Sequence, residues 1–459
     1  MFFLRHKILT LFLVLLTVLA VGVAIRWKAW FYNPKEEPYT VGNRPQWVML
    51  TFGNEGEQSR MVSWVCGDSV YKSKVQLVDI ATSDTIDISA VGEVFESRAG
   101  KAAYYRARLN MLKADTRYSY RVMTNGECSG WYSFQTYPSG REDFSFVYVG
   151  DVQDTIGGVT NSILKAAFNR NPQSEFLVCG GDLTERPTYQ YWDETFTDLD
   201  SICQHIPVMN VTGNHDYIKG PVGSLERRFP LIFSYFLESK VGDNMVYTLT
   251  YGNAQFFLLD STREFWYLSD QRSWLREELG KSGAKWKIVV IHHPIYSTKD
   301  NNMMPRWYFN GLLQDYGVDL VLQGHEHAYA RMTKKDDDGN PTTPVYTISH
   351  CSPKNYKIHF DDDFDKYGIS SRYYQTVNFH GDTMAVAPYD ANTFELYDSL
   401  NIIKTNGKTF VDDLGKNIKE NMNYEVNPKS SKSRKFNERI EEYKKRHPER
   451  GFADSKIKN

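Results

Sequence analysis

The chain has 459 residues, 41% apolar and 24% charged, which is enough apolar side chain for two or more domains with their own cores. A formal net charge of −2 provides no overall field to attract nucleic acid or an acidic partner. Thirty Tyr, 26 Phe and 10 Trp residues lean the composition toward β-structure.

The N-terminus opens with Arg5, His6 and Lys7, then runs apolar without interruption from Ile8 to Ile25. A positive flank followed by such a run predicts a signal peptide or a membrane anchor within residues 1–32. Eighteen apolar residues are at the lower end of what spans a bilayer. The small residues Ala20, Gly22 and Ala24 lie inside the run and define no clear cleavage site, while Arg26 and Lys28 follow at once, as at the end of an anchor. If the basic flank stays inside, the rest of the chain lies outside the cytoplasm: periplasmic, secreted, or anchored and facing outward.

After a linker near Asn33–Asn43, six short β-rich runs follow: Gln46–Phe52, Arg60–Val65, Lys74–Val78, Ala103–Leu109, Arg117–Met123 and Gly130–Thr136, separated by Gly, Asp, Ser and Asn clusters. They predict a small β-sandwich over residues 44–138. Cys66 and Cys128 fall within it; they either pair in an oxidising compartment or stand as two buried free thiols. The spacing of the five cysteines fits no zinc module, and Cys179 sits in an apolar run as a core residue.

Past the linker Tyr137-Pro138-Ser139-Gly140 the pattern changes. Apolar runs at Phe144–Val149, Phe176–Cys179, Ile206–Val211, Gln255–Leu259, Lys287–Ile291 and Asp319–Leu322 predict buried strands. Helical stretches such as Asn161–Asn169 and Gln271–Leu279 lie between them, and Tyr373–Ile403 predicts closing strands. The alternation implies a layered α/β domain over residues 142–404. Residues 405–459 are polar and mostly basic, with Phe436, Ile440 and Tyr443 at helical spacing; the segment predicts a solvated surface helix with a frayed end. A basic patch for anionic lipid or glycan is the alternative.

Five polar clusters follow the predicted strands directly: Gly150-Asp151-Val152-Gln153, Gly181-Asp182-Leu183-Thr184-Glu185, Gly213-Asn214-His215-Asp216, His292-His293-Pro294 and Gly324-His325-Glu326-His327. Singly, each is as well explained by a turn, a loop or a helix cap. Together, placed where layered α/β domains bind their ligands, Asp, Asn and His form a donor set for Zn, Mn or Fe.

The set resembles the metallophosphoesterase superfamily, and within it the purple acid phosphatases. Gly324-His325-Glu326-His327-Ala328-Tyr329-Ala330-Arg331 is similar to the last motif of that group, while Pro45-Gln46-Trp47-Val48, Val62-Ser63-Trp64-Val65, Tyr118-Ser119-Tyr120-Arg121-Val122 and Trp131-Tyr132-Ser133-Phe134 resemble its fibronectin-like domain. The resemblance covers about Pro45 to Lys404. It implies a fibronectin/Ig-like β-sandwich followed by a four-layer α/β/β/α metallophosphoesterase domain. It also implies two metal ions (Fe, Mn or Zn), one held by Asp151, Asp182 and His327 and the other by Asp182, Asn214, His292 and His325. Asp182 bridges them, and the ions share a hydroxide that attacks phosphorus. His215 is then the general acid, with Asp216 orienting its ring.

The implied activity is export-compartment hydrolysis of phosphomonoesters. Phosphodiester hydrolysis at the same site, and a non-catalytic surface binding protein, are the alternatives. No nucleic-acid partner is expected, and the N-terminal segment allows a membrane. Three places depart from the purple group. Glu185 stands where that group has its iron-ligating Tyr, which removes the expectation of a purple colour. Gln153 occupies the third position of the first motif, where a carboxamide oxygen ligates in some manganese-dependent relatives. The loop after Pro294 lacks further His and holds Tyr296, Lys299, Asn301, Asn302 and Arg306. His293 and Arg306 are the substrate-side candidates, with Lys299 or Arg306 as a partner for phosphate oxygens and plain exposed loop charges as the alternative.

Overall fold

The computed structural model describes residues 2–53, 56–220, 223–235, 241, 245–263, 265–299 and 303–453. A 29-residue helix, Phe2–Trp30, opens the chain. Its Lys7–Lys28 stretch is long and apolar enough to cross a membrane, and none of it is buried against the rest of the protein.

The β-sandwich forms as predicted, with both sheets antiparallel. One sheet carries Gln46–Gly53, Gly56–Val65, Lys101–Leu109 and Val91–Glu96; the other carries Thr85–Ser89, Ser73–Asp79, Arg117–Thr124, Glu127–Cys128 and Tyr132–Gln135. Alternation in Ser73–Asp79 and Arg117–Thr124 sends every second side chain inward. Trp64 stacks on Tyr105 at 5.5 Å in this core and donates its indole N–H to Thr124 Oγ1 at 2.9 Å. Cys66 is buried, Cys128 is half-buried, and both are free thiols, so the pairing alternative does not hold.

The second domain has two sheets face to face. In the first, Phe144–Val149 pairs in parallel with Phe176–Cys179 and that strand with Val208–Asn210, while Tyr373–His380 adds antiparallel on the other side. In the second, Ala254–Leu259, Trp286–Ile291, Leu320–Gln323 and Pro341–Ile348 are parallel neighbours, edged by Tyr247–Tyr251, Tyr329–Lys335 and Lys366–Gly368. Because strand side chains alternate, Phe256, Leu258, Ile288 and Val290 join the core shared with the first sheet. Their neighbours Phe257, Leu259, Val289 and Ile291 pack with Leu275 and Leu279 of helix Phe265–Lys281 and with Phe309 and Leu313 of helix Met303–Asp315. Helices Thr160–Arg170 and Tyr189–Cys203 cover the first sheet. The result is the four-layer α/β/β/α order.

Two features differ from the sequence reading. The domains share one continuous sheet of eleven strands, joined where Thr51 pairs in parallel with Val208. The segment from 405 onward is also not a solvated tail. Lys408–Asp413 extends the first sheet, and helix Ser431–Arg446 buries Phe436, Ile440 and Tyr443 against the second-sheet core. Each such burial contributes about 2 kcal/mol, which outweighs the solvation of a face that is basic only on its outer side.

Candidate metal centre

Every polar cluster read from the sequence lies at the carboxyl end of a strand, and the two sheets bring these ends together. The local backbone is unusual there. Asp151, Asp182 and His325 all have positive φ, at 44°, 53° and 67°. Left-handed non-glycine residues cost on the order of 1–3 kcal/mol each and persist only where the surroundings impose them. The glycines explain how the turns close: a Cβ on Gly213 would stand 2.1 Å from Asp182 Oδ1, and one on Gly324 would stand 2.5 Å from Asp151 Oδ2.

Asp151, Asp182 and His292 are buried, with ligand atoms all within 4.8 Å of one another. His292 Nε2 lies 3.4 Å from Asp182 Oδ2 and 3.2 Å from Asn214 Oδ1, and His325 Nδ1 lies 2.8 Å from the same Asn214 oxygen. On the other side His327 Nε2 is 3.4 Å from Asp151 Oδ1 and 3.1 Å from Gln153 Nε2. Donors bound about 2.1 Å from one ion stand roughly 3–3.5 Å apart, so both groups have the spacing of a coordination shell.

Tautomers point the same way. His292 Nδ1 faces the Gly180 carbonyl at 2.8 Å and His327 Nδ1 faces the Lys354 carbonyl at 3.0 Å. Each carbonyl accepts the Nδ1 proton, so Nε2 is the nitrogen turned toward the carboxylates, where a proton or a metal ion must lie between them. Asp151 Oδ1 and Gln153 Oε1 are buried without a hydrogen-bond partner. These residues fit two metal ions. Asp151, Gln153 and His327 could hold one, and Asn214, His292 and His325 the other, with Asp182 beside both.

The electrostatics are those of a concentrated cation site. Burial works against the charged form of His292, but the Asp182 carboxylate outweighs it and pushes the imidazole up to about 10. Burial also opposes charge on Asp182, yet His292 and His215 hold it below the usual carboxylate range. His325 is driven far down by burial and by His293, and His293 falls to about 3 through burial and His292, so both rings are neutral donors.

His215 anchors its Nδ1 on the Glu185 carbonyl at 2.6 Å, and its backbone N–H donates to Asp182 Oδ1 at 2.7 Å. Asp216 does not orient that ring. Its Oδ2 accepts the N–H groups of Gly213 at 2.7 Å and Asp182 at 3.3 Å, shaping the turn that presents Asn214. Burial and then the neighbouring Asp182 raise the Asp216 carboxyl well above its ordinary value. His293 receives the Ser261 hydroxyl at 3.0 Å, with its ring 4.2 Å from His325. The Arg306 guanidinium lies over the Tyr296 ring at 4.4 Å instead of beside the ligands. Asn301 and Asn302 lie outside the described residues.

Tyr356 and Lys354 were missed in the sequence, and Lys299 and Glu326 take roles it did not assign. Tyr356 stacks on His327 at 4.1 Å and 6°, Lys299 sits 4.1 Å over the Tyr356 ring, and Lys354 pairs with Glu185 Oε1 at 2.5 Å. Glu326, between the two histidines of the last motif, accepts from Thr298 N at 2.7 Å and Thr298 Oγ1 at 2.6 Å, tying that motif to the loop after His292. The signal for the 350–356 segment was present: His350-Cys351-Ser352-Pro353 follows the apolar run of Pro341–Ile348, the same strand-then-polar order as the five motifs.

Residues 144–329 match the calcineurin-like phosphoesterase family, and residues 45–136 match the N-terminal domain of purple acid phosphatases. The chain thus combines a calcineurin-like phosphoesterase domain with a purple acid phosphatase N-terminal domain, and purple acid phosphatases are among its relatives. Among curated relatives of this chain, phosphoenolpyruvate phosphatase of Allium cepa is 27% identical over 62% of this chain and 63% of its own length. Purple acid phosphatase 18 of Arabidopsis thaliana is 29% identical over 63% of this chain and 68% of its own length. The chain thus spans a little under two thirds of the onion relative. The purple acid phosphatase from yellow lupin seeds superposes with a TM-score of 0.69 at 17% identity, over 79% of this chain and 75% of that one, which shows a shared fold.

Proposed function

We propose that the chain is a binuclear metal-dependent phosphomonoesterase working outside the cytoplasm. The observation that carries this reading is the convergence of Asp151, Asp182, Asn214, His292, His325 and His327 into two adjoining donor groups around the Asp182 carboxylate. Two ions held there would supply positive charge for phosphate and an acidified water for the attack.

The protein's own residues account for the rest. His215 lies in the same pocket wall as Asn214, its Nδ1 fixed by the Glu185 carbonyl and its other nitrogen left to protonate the departing alkoxide. Lys354 neutralises Glu185, so no third free carboxylate competes with phosphate for the metal charge. Neutral His325 belongs to the second donor group and neutral His293 stands beside it, so neither repels a cation. The onion and Arabidopsis relatives carry phosphatase names, and the onion protein is named for a phosphomonoester, which favours the monoester over the diester. The basic flank Arg5-His6-Lys7 before the apolar run Ile8–Ile25 supports an outward-facing body.

Purified protein stripped of metal and reloaded with Mn, Zn or Fe is expected to release p-nitrophenol from its phosphate monoester faster than from the bis-ester. Faster cleavage of the diester would replace the monoesterase reading, and inactivity of every reloaded form would remove both.

A further inference from the structure

We propose that this site acts on a phosphate monoester carried by a lipid of the bilayer that holds the Phe2–Trp30 helix; the proposal rests on the phosphoesterase reading and names its substrate class. The carboxyl end of that helix gathers Arg26, Trp27, Lys28, Trp30, Phe31 and Tyr32, a basic and aromatic set of the kind that settles at a membrane–water boundary.

The chain does not wander after leaving the helix. Asn33 donates from Nδ2 to the Lys219 carbonyl at 2.7 Å, and the Lys219 N–H returns a bond to Asn33 Oδ1 at 2.9 Å. Glu36 pairs with buried Arg228 at 2.6 Å and accepts the Tyr189 N–H at 2.7 Å. Lys219 follows His215 by four positions. Tyr32, Asn33 and Pro34 line the same pocket of about 340 Å³ as Glu185, Asn214 and His215. The three residues from Trp30 to Asn33 reach at most about 11 Å. A connection this short, pinned at Asn33 and Glu36, keeps the mouth of the site at the membrane boundary.

The rim suits that position. Ile218 lines the pocket and is exposed, Ile156 and Val159 are exposed in the segment after Gln153, and Met303 and Trp307 are exposed on helix Met303–Asp315, with Trp307 67% exposed. The segment after Gln153 is ordered: Asp154 accepts from Thr155 N, Val159 N, Thr160 N and Thr160 Oγ1. Its apolar side chains are therefore held in the open rather than folded away. Apolar rims of this kind mark a contact surface, and isoleucine and tryptophan are suited to the headgroup–acyl boundary. Exposed Arg186 and Lys219 line the pocket among them and complement an anionic headgroup.

The test uses the full-length, metal-loaded chain reconstituted in phosphatidylcholine vesicles, with phosphatidic acid as the probe lipid. Phosphate release is followed beside p-nitrophenyl phosphate hydrolysis by the same preparation. Phosphatidic acid in the enzyme's own bilayer is expected to be hydrolysed at least about tenfold faster than the same lipid in separately added vesicles, because anchoring raises its effective concentration. The double variant Ile156→Ser, Trp307→Ser is expected to lower the ratio of lipid to soluble-ester turnover roughly fivefold. Turnover of p-nitrophenyl phosphate with no phosphate from lipid in the same bilayer, or equal rates for same and separate vesicles, overturns the proposal alone. Failure of both substrates overturns the phosphoesterase reading and the proposal with it. A mature chain found to begin after the helix also overturns the proposal.

Discussion

The Lys354 ammonium lies 2.5 Å from Glu185 Oε1. Its backbone carbonyl, in the same residue, holds Nδ1 of His327 at 3.0 Å. One residue therefore both neutralises the carboxylate that replaces a tyrosine ligand and orients a histidine of the first donor group. With Glu185 engaged in this way, iron-loaded protein is expected to show no phenolate-to-iron absorption in the visible. A strong visible charge-transfer band on iron loading would place a tyrosinate on the metal and contradict the assignment.

On the proposed mechanism, His215→Asn removes the ring that protonates the leaving group. The expected loss in kcat/KM is about 10²–10⁴-fold on an alkyl phosphate, whose alkoxide needs a proton, and much less on p-nitrophenyl phosphate, whose phenolate leaves unaided. Equal losses on the two esters would assign His215 to phosphate binding instead.

The pH dependence of the metal-free protein follows from His292, Asp182 and His293. His292 is raised to about 10, so its contribution to stability is complete below its unfolded value near 6.5 and disappears as pH rises through 10. Asp182 is depressed, so its contribution is present above about 3.8 and lost as pH falls through its folded value. His293, lowered to about 3, stays neutral when folded and costs stability progressively below about 6.5. Thermal unfolding of metal-free protein is therefore expected to fall on the alkaline side between about 6.5 and 10, and on the acid side below about 6.5. A divalent ion displaces the His292 proton, so the gain in Tm on adding zinc is expected to be larger at the alkaline end than in mild acid. Thermal melts across pH with and without zinc check both signs.

Phe436→Ala tests whether the last helix belongs to the domain. Phe436 is buried against Phe360 at 6.1 Å and Tyr424 at 4.8 Å. The substitution is expected to cost about 3–5 kcal/mol in urea unfolding. A cost below about 0.5 kcal/mol, the level of an exposed position, would return the segment to a loose tail.

How much of this was legible beforehand depended on the physics of each element. Runs buried on both faces, such as Phe144–Val149 and Lys287–Ile291, announced themselves because apolar side chains fill nearly every position, with only Ser145 inside the first and Lys287 at the start of the second. Thr85–Ser89 was passed over although Thr-Ile-Asp-Ile-Ser alternates, because it is a five-residue strand of which only Ile88 reaches the core. Helix Tyr189–Cys203 carries Tyr, Trp, Phe and Thr, residues that favour strands, and folds helical because Trp192, Phe196 and Leu199 reach the first sheet together. Helix Ser431–Arg446 showed its apolar spacing, but its many Lys and Arg residues masked the docking of that face.

The site was legible where ligand chemistry confines the residue type, as at Asp182, Asn214 and His325. It was not legible where a role depends on a fold contact. Asp216 next to His215 in sequence suggested a ring partner, yet the 3-10 turn sends its carboxylate back to Gly213. Tyr356 and Lys354 reach His327 only because the chain doubles back after Pro341–Ile348.

The most direct test of the central claim is metal counting joined to turnover in the wild type and in Asp182→Asn. The account predicts two ions per chain and p-nitrophenyl phosphate hydrolysis in the wild type, with both the second ion and nearly all activity lost in the variant. Fewer than two ions in the active wild type, or a variant that keeps its activity, would contradict it.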